Sequence, residues 1–110
     1  MSVSAALGGG LKATRVQHDT EFLLYDVMNK KLALLDQAAE LSSKYSHSLF
    51  SPDPDDDIYY QNKLFAIHQK EKALDVIKEQ LELRLKIVRE MKETLLKRAK
   101  ENAKKSFTIG

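Results

Sequence analysis

Three histidines, a run of aspartates and a glycine triplet are the residues of this chain best suited to chemistry. His68 stands three residues before Glu71, and His18 three before Glu21. A His and a Glu one helical turn apart can share a metal. Di-iron bundles, however, use the order Glu-x-x-His and add a glutamate from each of two further helices. No such glutamate helix is evident, so His18, His47 and His68 read as surface or seam-edge side chains. Asp53, Asp55 and Asp57 alternate as in a calcium loop, but such a loop needs Gly at its sixth position and a bidentate Glu at its twelfth. Neither is present. Gly8-Gly9-Gly10 is followed by no Lys-Ser/Thr at phosphate-loop spacing. With no Cys among the 110 residues, disulfides and thiolate metal sites fall away. No Ser/His/Asp order or nucleophile elbow occurs. The expectation is a protein with no catalytic residues, no cofactor, no metal and no small-molecule substrate.

The elements around these residues read as helices. Composition is 43% hydrophobic and 31% charged, with four Gly and two Pro. A net charge of +2 is too small to point to nucleic acid, and the basic residues have no interleaved aromatics or groove-reading motif. No stretch approaches the ~20 apolar residues of a membrane span. The N-terminus lacks a basic, apolar signal-peptide pattern, which predicts synthesis in the cytoplasm without a cleavable signal. Export to the cell surface or beyond would then need a signal-independent machine.

Residues 1–13 are small and Gly-rich and read as a flexible arm. Residues 14–110 read as a helical hairpin. Helix 1 is expected over about 14–48, with Thr14 as cap and Gln17 as its capping-box partner. Its expected inward face is Leu24, Val27, Met28, Leu35, Ala38, Leu41 and Tyr45, at helical steps of three and four. Lys31 interrupts this face. The serines from Ser42 to Ser48 weaken the helix and would permit a break, giving a three-helix bundle as the alternative. The turn is expected over 49–55, because Pro52 and Pro54 forbid a continuous helix around Asp53.

Helix 2 is expected over about 56–104, opened by Asp55, Asp56 and Asp57, whose carboxylates suit the positive end of a helix. Apolar residues recur every seven along it: Tyr60, Ile67, Leu74, Leu81, Val88 and Leu95. Leu64, Ile77, Leu85, Met91 and Ala99 flank them. This is a heptad seam, and a short turn makes the two helices antiparallel neighbours. The predicted fold class is therefore all-α, an antiparallel two-helix coiled-coil hairpin with a longer second helix.

Helix 2 carries a second apolar set, Phe65, Val76, Leu83 and Ile87. Leu83 follows the seam residue Leu81 by two positions, about 200° around the helix. That set points away from helix 1 and predicts burial against a partner, with Phe107 and Ile109 near the C-terminus as further self-association residues. Charge is also uneven. The turn region holds Asp53, Asp55, Asp56 and Asp57, whereas Arg84 to Lys105 holds nine Lys/Arg and three acids. Such ends suit head-to-tail stacking of copies.

From Asp53 to Leu64 the chain resembles the needle subunits of type III secretion systems. Those are small helical hairpins with a Pro-containing turn, commonly Asp-Pro, and a Tyr-Gln-x-Lys-Leu segment opening the second helix. Here the residues are Asp53-Pro54 and Tyr60-Gln61-Asn62-Lys63-Leu64. The resemblance implies self-assembly through helix 2, a flexible N-terminal arm, no cleaved signal and a C-terminus packed within the assembled tube. This chain departs from the pattern in its length and its extended basic helix 2. The expected partners are copies of itself, with a secretion-apparatus protein or chaperone as a further candidate. A cytoplasmic coiled-coil adaptor, stalk or export chaperone that binds a different protein is the alternative.

Overall fold

The computed structural model describes the backbone of residues 3–48 and 54–109, and side-chain surroundings for 3–47 and 55–106. It is all-α, with two helices that pack against each other. Helix α1 spans Val3–Ser48 and helix α2 spans Pro54–Ile109, the second longer by ten residues, 56 against 46. Pro52 and Asp53 of the expected turn lie outside the described residues. Pro54 opens α2, where its missing N–H costs nothing and its fixed φ already suits a helix. The next three residues, Asp55, Asp56 and Asp57, place carboxylates in the first turn, where the exposed N–H groups favour negative charge.

The chain divides into two compact units, one of residues Tyr25–Glu79 and one of Met1–Leu24 with Gln80–Gly110. In the Tyr25–Glu79 unit Lys31 pairs with Asp75 and Tyr45 with Asp57, so rising numbers on α1 meet falling numbers on α2. The pair is antiparallel. The inward positions of α1 here are Val27, Lys31, Leu34, Ala38, Leu41 and Tyr45, all buried or half-buried. Those of α2 are Asp57, Tyr60, Leu64, Ile67, Glu71, Leu74 and Lys78. Both sets step by three and four, the spacing of a heptad seam.

The other unit repeats this arrangement with smaller side chains. Along α1 the inward positions are Ala6, Gly10, Ala13, Gln17, Thr20 and Leu24. Along α2 they are Leu81, Leu85, Val88, Lys92, Leu95 and Ala99. Side chains of α2 come close to the α1 backbone here. A Cβ built on Gly9 would lie 3.1 Å from Leu95 Cδ1, and one on Gly10 would lie 3.0 Å from Leu96 Cδ2. Glycine is the residue that permits such an approach.

Several expectations need correction. Residues 3–13 are helical rather than a flexible arm, because Ala6, Gly10 and Ala13 are buried against α2 and packing overrides the weak helix propensity of glycine. The same segment packs against the C-terminal part of α2, at Leu95 and Leu96. Thr14 does not cap α1. It sits inside the helix and its Oγ1 donates to the Gly10 carbonyl at 2.9 Å. No break occurs through Ser42–Ser48. The Ser46 hydroxyl donates to the Ser42 carbonyl at 3.0 Å, and the helix runs on to Ser48. Helix α2 begins at Pro54 rather than 56 and continues to Ile109 rather than 104.

The seam of α1 is also shifted. Leu24, Val27 and Leu41 are inward as expected, but Met28 and Leu35 are exposed. Leu34 is 8% exposed and its neighbour Leu35 is 55% exposed. The true row runs through Lys31, whose long stem can cover apolar surface while its charge reaches outward. On α2 the every-seventh row Ile67, Leu74, Leu81, Val88 and Leu95 is inward as predicted. Its flank is Leu64, Glu71, Lys78, Leu85, Lys92 and Ala99, so Ile77 and Met91 are displaced to the surface.

Candidate interaction surfaces

Polar residues within the two seams fix which side chains can meet. In the Tyr25–Glu79 unit the Lys31 ammonium pairs with Asp75 across the helices. Near the end of α1 the Tyr45 hydroxyl donates to Asp57 Oδ1 at 2.6 Å. The Tyr45 ring meets the Tyr60 ring edge-on, with centroids 5.9 Å apart and planes at 71°. Tyr60 in turn meets Tyr59 at 5.4 Å and 77°. These are the T-shaped geometries that a ring quadrupole favours. Lys63 Nζ stands 5.6 Å from the centroid of the Tyr59 ring, a cation–π distance. The Asp57 bond, then its negative charge, pushes the Tyr45 hydroxyl pKa above its ordinary value.

In the other unit Gln17 and Glu21 meet Arg89 and Lys92. The Gln17 amide donates to Glu21 Oε1 at 3.0 Å, and Arg89 donates to the same oxygen at 3.3 Å. The Gln17 bond is the first cause, and the Arg89 guanidinium a further one, that hold the Glu21 carboxyl below its usual range. Lys92 Nζ reaches Gln17 Oε1 at 3.5 Å. Thr20 is 1% exposed, and its Oγ1 donates to the Val16 carbonyl at 2.7 Å. Its hydroxyl is thus satisfied by its own helix.

His68 Nδ1 lies 3.5 Å from Glu71 Oε2, while His18 and His47 are exposed. Among the described residues no three His, Asp or Glu side chains gather into a possible metal site. No described helix is long and apolar enough to cross a membrane.

The surfaces facing away from the seams carry the more informative pattern. Phe65 and Val76, in the Tyr25–Glu79 unit, are exposed. Leu83 and Ile87, in the other unit, are exposed as well, Leu83 to 59%. By helical periodicity Val76, Leu83 and Ile87 share one row of α2 with Tyr59, Asn62, Ala66, Gln69, Ala73 and Gln80, a row without a charge. Phe65 borders it. Phe107 and Ile109 lie in α2, but their side-chain surroundings fall outside the described residues.

Sequence reasoning missed a second row on α1. Tyr25, Met28, Leu32 and Leu35 are all exposed and step by three, four and three. With Ala39 and Ser42 they form another uncharged line, offset by roughly 100° from the seam at 100° per residue. Two of its members, Met28 and Leu35, are residues that the sequence pattern assigns to the seam. The regular spacing was the signal, obscured by Lys31 interrupting the real seam beside it.

No protein-family model matches this chain, and no curated relative and no solved structure matches it either.

Proposed function

We propose that this protein is a self-assembling helical structural subunit whose copies associate through the outward row of α2. The observation that carries this reading is the exposure of Phe65, Val76, Leu83 and Ile87 while Ile67, Leu74, Leu81 and Val88 on the same helix are inward. A helix apolar on two sides gains by burial on both. A core only two helices thick also leaves much to gain from oligomerisation. Phe107 and Ile109 extend the contact at the C-terminus.

A filament or needle-like tube carried out of the cell is the assembly this reading favours. The acidic start of α2 and its basic C-terminal stretch suit repeated stacking of copies. The resemblance of Asp53-Pro54 and Tyr60-Gln61-Asn62-Lys63-Leu64 to type III secretion needle subunits supports the same conclusion, with an export apparatus or chaperone as a passing partner.

The test is a pair of substitutions on opposite sides of one helix. Leu83→Glu with Ile87→Glu should leave the helical circular dichroism intact and abolish assembly seen by light scattering and negative-stain microscopy. Leu81→Glu should instead lower the melting temperature, because Leu81 is buried. A double variant that assembles like wild type would overturn the outward row as the interface.

One observation favours a second reading, an adaptor or export chaperone that holds a different protein. A shallow groove of about 420 Å³ runs between Ala33 and Leu34 on α1 and Ala73 and Leu74 on α2, with Lys30 and Lys70 at its rim. Such a groove suits an apolar helix with acidic flanks. Purified protein that stays one small oligomer at every concentration would favour this reading over the filament.

A further inference from the structure

An α2 row that binds another copy needs a surface to receive it, and α1 carries one that fits along it and complements it in size and charge. We infer that the α1 row Tyr25, Met28, Leu32 and Leu35 is the seat on which the α2 row of a second copy lies. The contact then joins unlike surfaces, each copy offering one to the neighbour on either side. This inference rests on the self-assembly reading above and names the missing half of its interface.

Length is the first argument. At 1.5 Å per residue the uncharged α1 row runs about 26 Å from Tyr25 to Ser42 and the uncharged α2 row about 42 Å from Tyr59 to Ile87, so the whole seat fits along part of one row. The seat and the Tyr59–Val76 part of the α2 row lie within the Tyr25–Glu79 unit. Size is the second. The α1 row presents large side chains, whereas Ala66 and Ala73 interrupt the α2 row with small, exposed positions. Large residues opposite small ones interdigitate, and helix packing rewards that fit. Large on large or small on small does not provide it.

Charge is the third argument. Between Tyr25 and Ser42, α1 holds Asp26, Asp36 and Glu40 against Lys30 and Lys31. Between Asn62 and Lys78, α2 holds Lys63, Lys70, Lys72 and Lys78 against Glu71 and Asp75. The two segments have opposite net sign. Pairing α1 with α2 of a neighbour brings opposite charges together around an uncharged strip, while α1 on α1 or α2 on α2 brings like charges together. Like-charge pairing disfavours the symmetric alternatives, and an unlike contact repeats without closing unless its rotation forms a ring.

The experiment uses two variants of the full chain, each with one surface spoiled. Leu32→Glu with Leu35→Glu spoils the seat. Ala73→Glu with Val76→Glu spoils the row that sits on it. All four positions are exposed, so circular dichroism should show both variants helical. Leu32→Gln with Leu35→Gln serves as the milder version should the acidic one lose helix. By sedimentation velocity each variant alone is expected to be a monomer. Mixed in equal amounts they should form a particle of twice the monomer mass, since one intact seat meets one intact row. The inference is overturned if the seat variant assembles like wild type, or if the mixture of two helical variants stays monomeric. A seat variant that assembles while the Leu83→Glu, Ile87→Glu variant does not would sink this inference and leave the self-assembly reading standing. Assembly by both would remove that reading too.

Discussion

The Tyr45 hydroxyl donates to Asp57 Oδ1 at 2.6 Å, tying the last turn of α1 to the first turn of α2. The bond requires the phenol to keep its proton, so the pKa of Tyr45 is raised from its ordinary 10.0. A raised folded value contributes stability that is whole below the unfolded pKa and is lost as pH climbs through the folded one. Thermal melting followed above pH 10.0 should therefore fall more steeply for wild type than for Tyr45→Phe. Tyr45→Phe should itself melt lower than wild type at neutral pH.

Glu21 gives the opposite dependence. Its carboxylate accepts from Gln17 and Arg89, which lowers its pKa from the ordinary 4.5. The stabilisation is present above that value and disappears as pH falls through the lowered one. Glu21→Gln should flatten the acid side of the stability profile, read as melting temperature against pH. Salt should weaken the wild-type effect, because the pair is solvent-exposed.

Leu34 and Leu35 separate the two rows of α1. Leu34→Ala removes a buried side chain, and about 2–3 kcal/mol of unfolding free energy should go with it. Leu35→Ala, one residue on, should change stability by no more than about 0.5 kcal/mol. Urea unfolding of the two variants measures both, under conditions that hold the protein monomeric. Equal losses would show that the seam does not pass between them as described.

The glycines of α1 are unequal. Around Gly8 nothing lies within 4 Å of an added Cβ. Gly8→Ala should therefore stabilise by about 0.5–1 kcal/mol, the ordinary helix preference for Ala over Gly. A Cβ on Gly10 would meet Leu96 Cδ2 at 3.0 Å. Gly10→Ala must push that side chain aside, so its gain should be smaller or absent. Paired thermal melts decide.

Much of α2 was legible in the sequence, because Tyr60, Ile67, Leu74, Leu81, Val88 and Leu95 repeat without a polar interruption. The outward set on the same helix was legible too, from the angle between Leu81 and Leu83. On α1 the pattern failed for a physical reason. Gln17, Thr20 and Lys31 hold inward positions and satisfy their polar ends with a seam neighbour, their own backbone or Asp75 across the seam. Met28 and Leu35, apolar but outward, then look like the better core. The Gly-rich start was misread for a related cause. Local composition favours an unstructured segment there, and only the closeness of Leu95 and Leu96 explains why small residues are useful.

The cross-helix ion pairs carry information out of proportion to their energy. Exposed or half-exposed pairs such as Lys31–Asp75 and Glu21–Arg89 contribute little to stability. Both seams repeat every seven residues, so sliding α2 by one repeat would still lay apolar side chains on apolar side chains. The charges break that degeneracy. Slid one way, Glu21 would face Glu82 and Lys31 would face His68. Slid the other way, Glu21 would face Leu96 and only Lys31 would find an acid, Glu82. One alignment satisfies both. The hairpin thus behaves like a tumbler lock, in which greasy repeats supply the grip and two modest charges select the notch.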